Sequence, residues 1–172
     1  MIRRFREVIY FIVFVLLQTL VIDHIRLFGI VTPFVYLYVI LKFRINSSRS
    51  SIILLSFLLG IVIDIFSNTF GVHAAACAFI GFIRYPLLGQ FVDVKELPDS
   101  SIPSYRLFGF SKFSRYTLIM VSLHHLILFS LDSFGFYQPT LMFIRLLTSI
   151  LLSLLLIFII ESFNLIQIKD GE

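Results

Sequence analysis

The chain has 172 residues, of which 59% are hydrophobic and 14% charged, and its mean hydropathy is +1.00. A soluble domain holds roughly 45–50% apolar and about 25% charged residues, so this composition excludes a soluble enzyme, a disordered tail and a nucleic-acid-binding module, and points to an integral membrane protein. The net charge of +4 reports topology rather than an acidic ligand, and the single Cys77 excludes an internal disulfide and a cysteine-based zinc cluster.

A membrane-spanning helix needs about 20 mostly apolar residues to cross about 30 Å of hydrocarbon. The sequence predicts six such spans within one membrane domain over 1–172: about 5–22, 28–41, 51–66, 70–92, 116–131 and 140–160. The first starts on Arg3, Arg4 and Arg6 and lacks a small-residue cleavage site, since no Ala precedes Ala74. It reads as a retained span rather than a removed signal. Pro33 makes the second short, tilted or bent. The fourth holds all four alanines, and Gly71, Ala74, Ala78 and Gly81 recur on one helix face. Small residues let helix backbones approach closely in lipid, so this helix is expected to pack centrally. The stretch 93–115 is polar, carries Pro98 and Pro103, and reads as a cytoplasmic loop; 161–172 reads as a tail too short to fold alone. Nearly continuous apolar runs such as 150–160 do not show the alternation of an outer-membrane barrel strand.

With both termini in the cytoplasm, 12 of the 14 Lys and Arg residues fall at inner ends, and only Arg26 and Arg145 at outer ends. Basic residues are costly to translocate and are favoured by the anionic inner leaflet, so this bias sets the orientation and agrees with an even number of spans. Tyr85, Tyr116 and Tyr137 fall at expected interfaces.

Ionisable groups inside a membrane are costly and mark functional positions. Asp64 lies toward the outer end of the third span, sharing a face with Gly60, and Arg145 enters the sixth at similar depth. Two arrangements follow: Asp64 and Arg145 pair or share a polar crevice with His73, or each snorkels separately to the outer interface. Arg145, Ser149 and Ser153 form a stripe at i, i+4 and i+8, directed at the bundle or at a partner helix. His124 and His125 fall in the fifth span, about 100° apart around the helix, as a proton relay or as hydrogen-bonded structural groups. No G-x-S-x-G, H-E-x-x-H, P-loop or C-x-x-C motif occurs, and Ser67, Asp64 and His73 lack the setting of a nucleophilic triad. No catalytic, cofactor or metal residue is therefore expected.

The stretch from Gly60 through Asp64, Phe66, Ser67, Phe70, Gly71 and His73 to Ala74, followed by Gly81 and Phe82, resembles the MreD family of rod shape-determining membrane proteins. Chain length, basic start and lack of a sizeable extramembrane domain are similar to that family. The resemblance implies an all-α, polytopic bundle in the bacterial inner membrane, similar in architecture to substrate-binding subunits of energy-coupling-factor transporters. It implies a non-catalytic scaffold of the cell-wall elongation complex that binds an MreC-like bitopic protein and works with RodA, a penicillin-binding transpeptidase and MreB. Gly60, Asp64, Gly71 and Ala74 are then the family-motif positions. The competing expectation is a small-molecule transporter subunit, with a ligand near the outer mouth.

Overall fold

The computed structural model describes residues 11–22, 31–98, 101–132 and 139–169, and over them the regular structure is helical. The basic start, Arg26 and Tyr137 lie outside the described residues. Helix α1 begins the described chain, Phe11–Leu20, and widens into a π-wound turn over Leu17–Ile22. A single helical turn, α2 (Leu37–Leu41), follows a non-helical stretch, 31–36. Then come α3 (Arg49–Ser67), α4 (Val72–Leu88), a 3₁₀ turn (Val94–Glu96), α5 (Tyr105–Asp132) and α6 (Pro139–Lys169).

Among the described residues, three helices are long and apolar enough to cross a membrane: Arg49–Ser67, Tyr105–Asp132 and Thr140–Phe163. Phe11–Leu20 and Val72–Leu88 are shorter apolar helices. The chain is thus a helical protein with membrane-spanning character, and its surface agrees. Phe143, Leu147, Leu151, Leu155 and Ile159 recur every fourth residue on α6 and are all exposed, a face for which lipid is the natural solvent.

Two sequence expectations change. Of the second expected span, 28–41, the described residues 31–41 do not form one helix: only Leu37–Leu41 winds, and the chain around Pro33 is non-helical yet buried from Pro33 to Leu41. Proline removes a backbone donor and disfavours helix at the preceding residue. The 93–115 stretch is not a loop to its end, because α5 starts at Tyr105. The Ser104 hydroxyl accepts from the Leu107 N–H at 3.2 Å at that start, while Phe108, Phe113 and Tyr116 turn inward. Gly109, at φ 74°, breaks α5 after its first turn, in a conformation open to glycine at little cost.

Contacts fix the relative directions. The Phe14 ring lies 5.2 Å from Tyr38, and Gln18 bonds Pro33 and Val35, so α1 runs against 31–41. Thr32, Phe34 and Tyr38 meet Ser149, Ser153 and Glu161 in that order, so 31–41 runs with α6. Phe34 lies by His73 and Phe43 by Arg84, so 31–43 also runs with α4. Tyr116 of α5 lies beside Arg84, and His124 beside Phe34, so α5 runs against α4. Helices α3 and α4 form a tight hairpin between them. Successive elements therefore alternate in direction through the bundle.

Candidate functional site

The α3–α4 turn gathers most of the motif residues. Ser48 caps the start of α3, accepting from Ser51 N–H at 3.2 Å, and Asn68, left-handed at φ 54°, ends the helix. Gly71, at φ 79°, stands at the N-cap of α4 and offers no side-chain acceptor. The first turn of any helix leaves backbone donors unsatisfied. Here Asp64 supplies the acceptor from the other helix. Its Oδ2 accepts from Ala74 N–H at 2.8 Å, and its Oδ1 accepts from His73 N–H at 3.0 Å. The Thr69 hydroxyl donates to Oδ1, and His73 Nδ1 lies 3.1 Å from the same oxygen. A carboxylate at a helix N-terminus is also favoured by the helix dipole. Asp64 is thus a cap borrowed across the hairpin.

The glycines explain how the carboxylate reaches that position. A Cβ on Gly60 would lie 2.4 Å from Ala74 Cα and 2.5 Å from the His73 carbonyl oxygen, both backbone atoms. Only glycine lets α3 approach α4 this closely. Gly81 repeats the device lower down, where a Cβ would sit 2.8 Å from Ser56 Oγ. Ala78 lies half-buried on α4 beside this seam.

Of the expected crevice, the structure joins Asp64 to His73 and leaves Arg145 out. Arg145 is exposed on α6, with no ion pair among the described residues. Thr69, absent from the sequence reading, takes the third place. Placing Arg145 by depth along α6 fixes its height but not the side of the helix on which it emerges.

Behind this clasp lies a second polar group, built around 31–36. Main-chain groups here have no helical partners and are largely buried, so side chains must satisfy them. Gln18 does so twice: Nε2 donates to Pro33 O at 3.0 Å, and Oε1 accepts from Val35 N–H at 2.9 Å. Ser149 accepts from Thr32 N–H at 3.2 Å and Ser153 from Phe34 N–H at 2.9 Å. His125 Nδ1 donates to the Val121 carbonyl at 2.8 Å, which leaves Nε2 to accept from the Ser153 hydroxyl at 3.0 Å. His124 Nε2 pairs with the Tyr36 hydroxyl at 2.9 Å. Both histidines serve this stretch, which the structural alternative anticipates. Phe34 sits among the rings of His73, His124 and His125, with centroids 5.7, 5.8 and 5.1 Å away. The stripe of Ser149 and Ser153 faces the bundle, and Gln18 is the member the sequence reading passed over.

At the far end of 31–42 stands a buried ion pair. Glu161 is 1% exposed and meets Lys42 Nζ at 2.7 Å. It also accepts from the Tyr38 hydroxyl at 2.7 Å and Tyr105 N–H at 3.2 Å. Burial lowers the pKa of Lys42, and the Glu161 charge and hydrogen bond oppose that shift. Glu161 belongs to the interior of α6, not to a tail. Its signal was visible as a carboxylate closing a long apolar run.

Among the described residues, no three His, Cys, Asp or Glu side chains converge closely enough to hold a metal ion. The arrangement offers packed helices in which the carboxylates of Asp64 and Glu161 are held in hydrogen bonds. Comparison of the chain with models of protein families, with curated proteins and with solved structures finds no match to any of them.

Proposed function

We propose that the chain is a non-catalytic scaffold of the MreD type in a bacterial inner membrane, holding an MreC-like bitopic partner within the cell-wall elongation complex. RodA, a penicillin-binding transpeptidase and MreB are the further members of that assembly. In this reading the chain crosses the membrane six times with both termini in the cytoplasm. The second crossing is made by 31–41, in which six non-helical residues cover up to about 3.3 Å each and one helical turn adds 1.5 Å per residue. The alternating directions of the elements and the inward bias of Lys and Arg support that layout.

The observation that carries the reading is the clasp: Gly60, Asp64, Gly71 and Ala74, the residues of the family resemblance, meet at one turn and give each other their reasons. A scaffold needs such a turn, because a partner can dock only on helix faces and turns held in fixed places. Tagged chain purified in mild detergent from a rod-shaped bacterium should bring down an MreC-like protein, and depletion should round the cells. Recovery of the chain alone from cells that stay rod-shaped would end the proposal.

A second reading, a substrate-binding subunit of a small-molecule transporter, is favoured by one feature. Non-helical backbone at membrane depth beside buried histidines is how many transporters line a midplane site. Release of a bound small molecule on denaturing the purified chain would select it.

A further inference from the structure

Helix α5 presents two kinds of residue on its outward side. Lys112, Arg115, Ile119 and Leu126 are all exposed, and their spacing places them on one helix face. Ser111 and Leu118 are exposed beside them. The opposite face carries Phe113, Tyr116, Met120, His124 and Leu128, all buried, so the stripe looks away from the bundle. It is polar and basic at its start and apolar beyond. That change falls at the depth of a membrane surface. Lys112 and the exposed Asp132 stand about 30 Å apart along the helix at 1.5 Å per residue, which is about the thickness of the hydrocarbon layer. With Asp132 at one surface, Lys112 stands at the other. Arg115, one turn further in, reaches that surface with its long side chain.

The charge there is uncompensated. Neither Lys112 nor Arg115 makes an ion pair among the described residues, and no Asp or Glu occurs between Ser100 and Leu131. Residues three apart on a helix have Cβ atoms about 5–6 Å apart, and like charges that close repel. An anion between them removes the repulsion, and Ser111, four residues before Arg115, adds a hydroxyl donor on that side. Charge complementarity therefore asks for an anion with several oxygens. The apolar run in line with the cations asks for an acyl chain. An anionic phospholipid carries both, headgroup and chain, in the order in which the stripe presents their partners.

We propose that Lys112 and Arg115 hold the phosphate of an anionic phospholipid whose acyl chain lies along Leu118, Ile119 and Leu126. This surface does not depend on the scaffold reading. It is also more than the general inward bias of Lys and Arg, because it is one place on one helix and should select its lipid there.

The test uses the full chain, which contains no Trp, with a single fluorescent reporter introduced by Ile119→Trp. It is reconstituted in vesicles of phosphatidylcholine holding a minor share of phosphatidylglycerol, with bromine on the acyl chains of one lipid or the other. Bromine quenches indole fluorescence on contact, so the two quenching efficiencies give the lipid composition beside the reporter. Each Lys or Arg beside an anionic surface adds about fivefold to affinity, so phosphatidylglycerol should be enriched about twentyfold at residue 119. Lys112→Gln and Arg115→Gln should each lower the enrichment about fivefold, and the two together should abolish it. Both side chains are exposed, so these variants should fold. A reporter placed by Leu151→Trp, at an exposed position on α6, should show no enrichment. If Ile119→Trp fails to fold, Leu118→Trp reports from the adjacent exposed position. Equal quenching by the two lipids at residue 119 overturns the site and leaves the cations to an acidic protein segment. An enrichment that is the same at residue 151, or that survives the double substitution, overturns it as well.

Discussion

At the α3–α4 turn, two backbone N–H groups end on a carboxylate nine and ten residues upstream. In 31–36, four backbone groups end on side chains 15 to 119 residues away. Both regions face the same demand, because buried main-chain polar groups must find protein partners. They differ in where the partner comes from. The turn is closed by its own sequence, within the α3–α4 hairpin. The non-helical stretch exists only when α1 and α6 are already in place. The first region therefore depends on fit within a few residues, and the second on the assembled bundle.

Gly60→Ala tests the first half of that contrast and should have the largest effect. The added Cβ meets backbone at 2.4 Å, so the helices must part and Asp64 withdraws from α4. Overpacking of this kind costs about 3 kcal/mol, and here both neighbours are main chain and cannot rotate away. Loss of the monodisperse peak in detergent is the expected reading. Gly89→Ala is the control: its nearest neighbours would lie 3.7 and 4.0 Å away, and its stability should hold. If both substitutions behave alike, close approach is not what Gly60 provides.

Asp64→Ala comes next. It strands two N–H donors of α4 at a position 6% exposed, and a buried unsatisfied donor costs about 1–3 kcal/mol. Asp64→Asn keeps one carbonyl oxygen for Ala74 or His73 and should fall between wild type and Ala in melting temperature. An Asn variant as unstable as Ala would assign the effect to lost charge at the helix end rather than to lost acceptors.

The same contrast governs what could be read from the sequence. Gly60, Asp64, Gly71 and Ala74 stand within 15 residues, so their spacing carries their geometry. The third span and the sixth were visible as apolar runs for the same local reason. The non-helical course of 31–36 was not. Apolar composition over 28–41 is the same whether the chain winds or not, and Pro33 alone could not say that Gln18, Ser149 and Ser153 would satisfy an unwound backbone. Arg145 shows the other limit: depth along a helix follows from residue count, but the facing side follows from packing. Arg84 and Glu161 were legible as charges and illegible as buried groups, since burial is decided by helices remote in sequence.

Gln18→Leu tests the second region. It removes an acceptor from Val35 N–H and a donor from Pro33 O, both buried, and should cost about 2 kcal/mol. Melting temperature in detergent reads the loss. Because 31–36 has several supports, Gln18→Leu combined with Ser153→Ala should not be additive, with a coupling of about 0.5 kcal/mol or more. Strict additivity would mean that the stretch is held by its apolar burial and that its hydrogen bonds are incidental.

Ser149→Ala should have the smallest effect and separates the ends of the stretch. Ser149 accepts from Thr32 N–H at 3.2 Å in a partly buried place, whereas Ser153 accepts from Phe34 N–H at 2.9 Å in a buried one and also serves His125. A single modest hydrogen bond contributes about 0.5–1.5 kcal/mol, and where water can reach the freed donor the lower figure applies. Ser153→Ala frees the Phe34 N–H and deprives His125 Nε2 of its donor together, in a place closed to water. The Ser153 variant should therefore melt well below the Ser149 variant, although the two differ by one helical turn and remove the same hydroxyl. Equal melting temperatures would place water at both ends of the stretch and make 31–36 a lining of an open cavity, which is the arrangement the transporter reading requires.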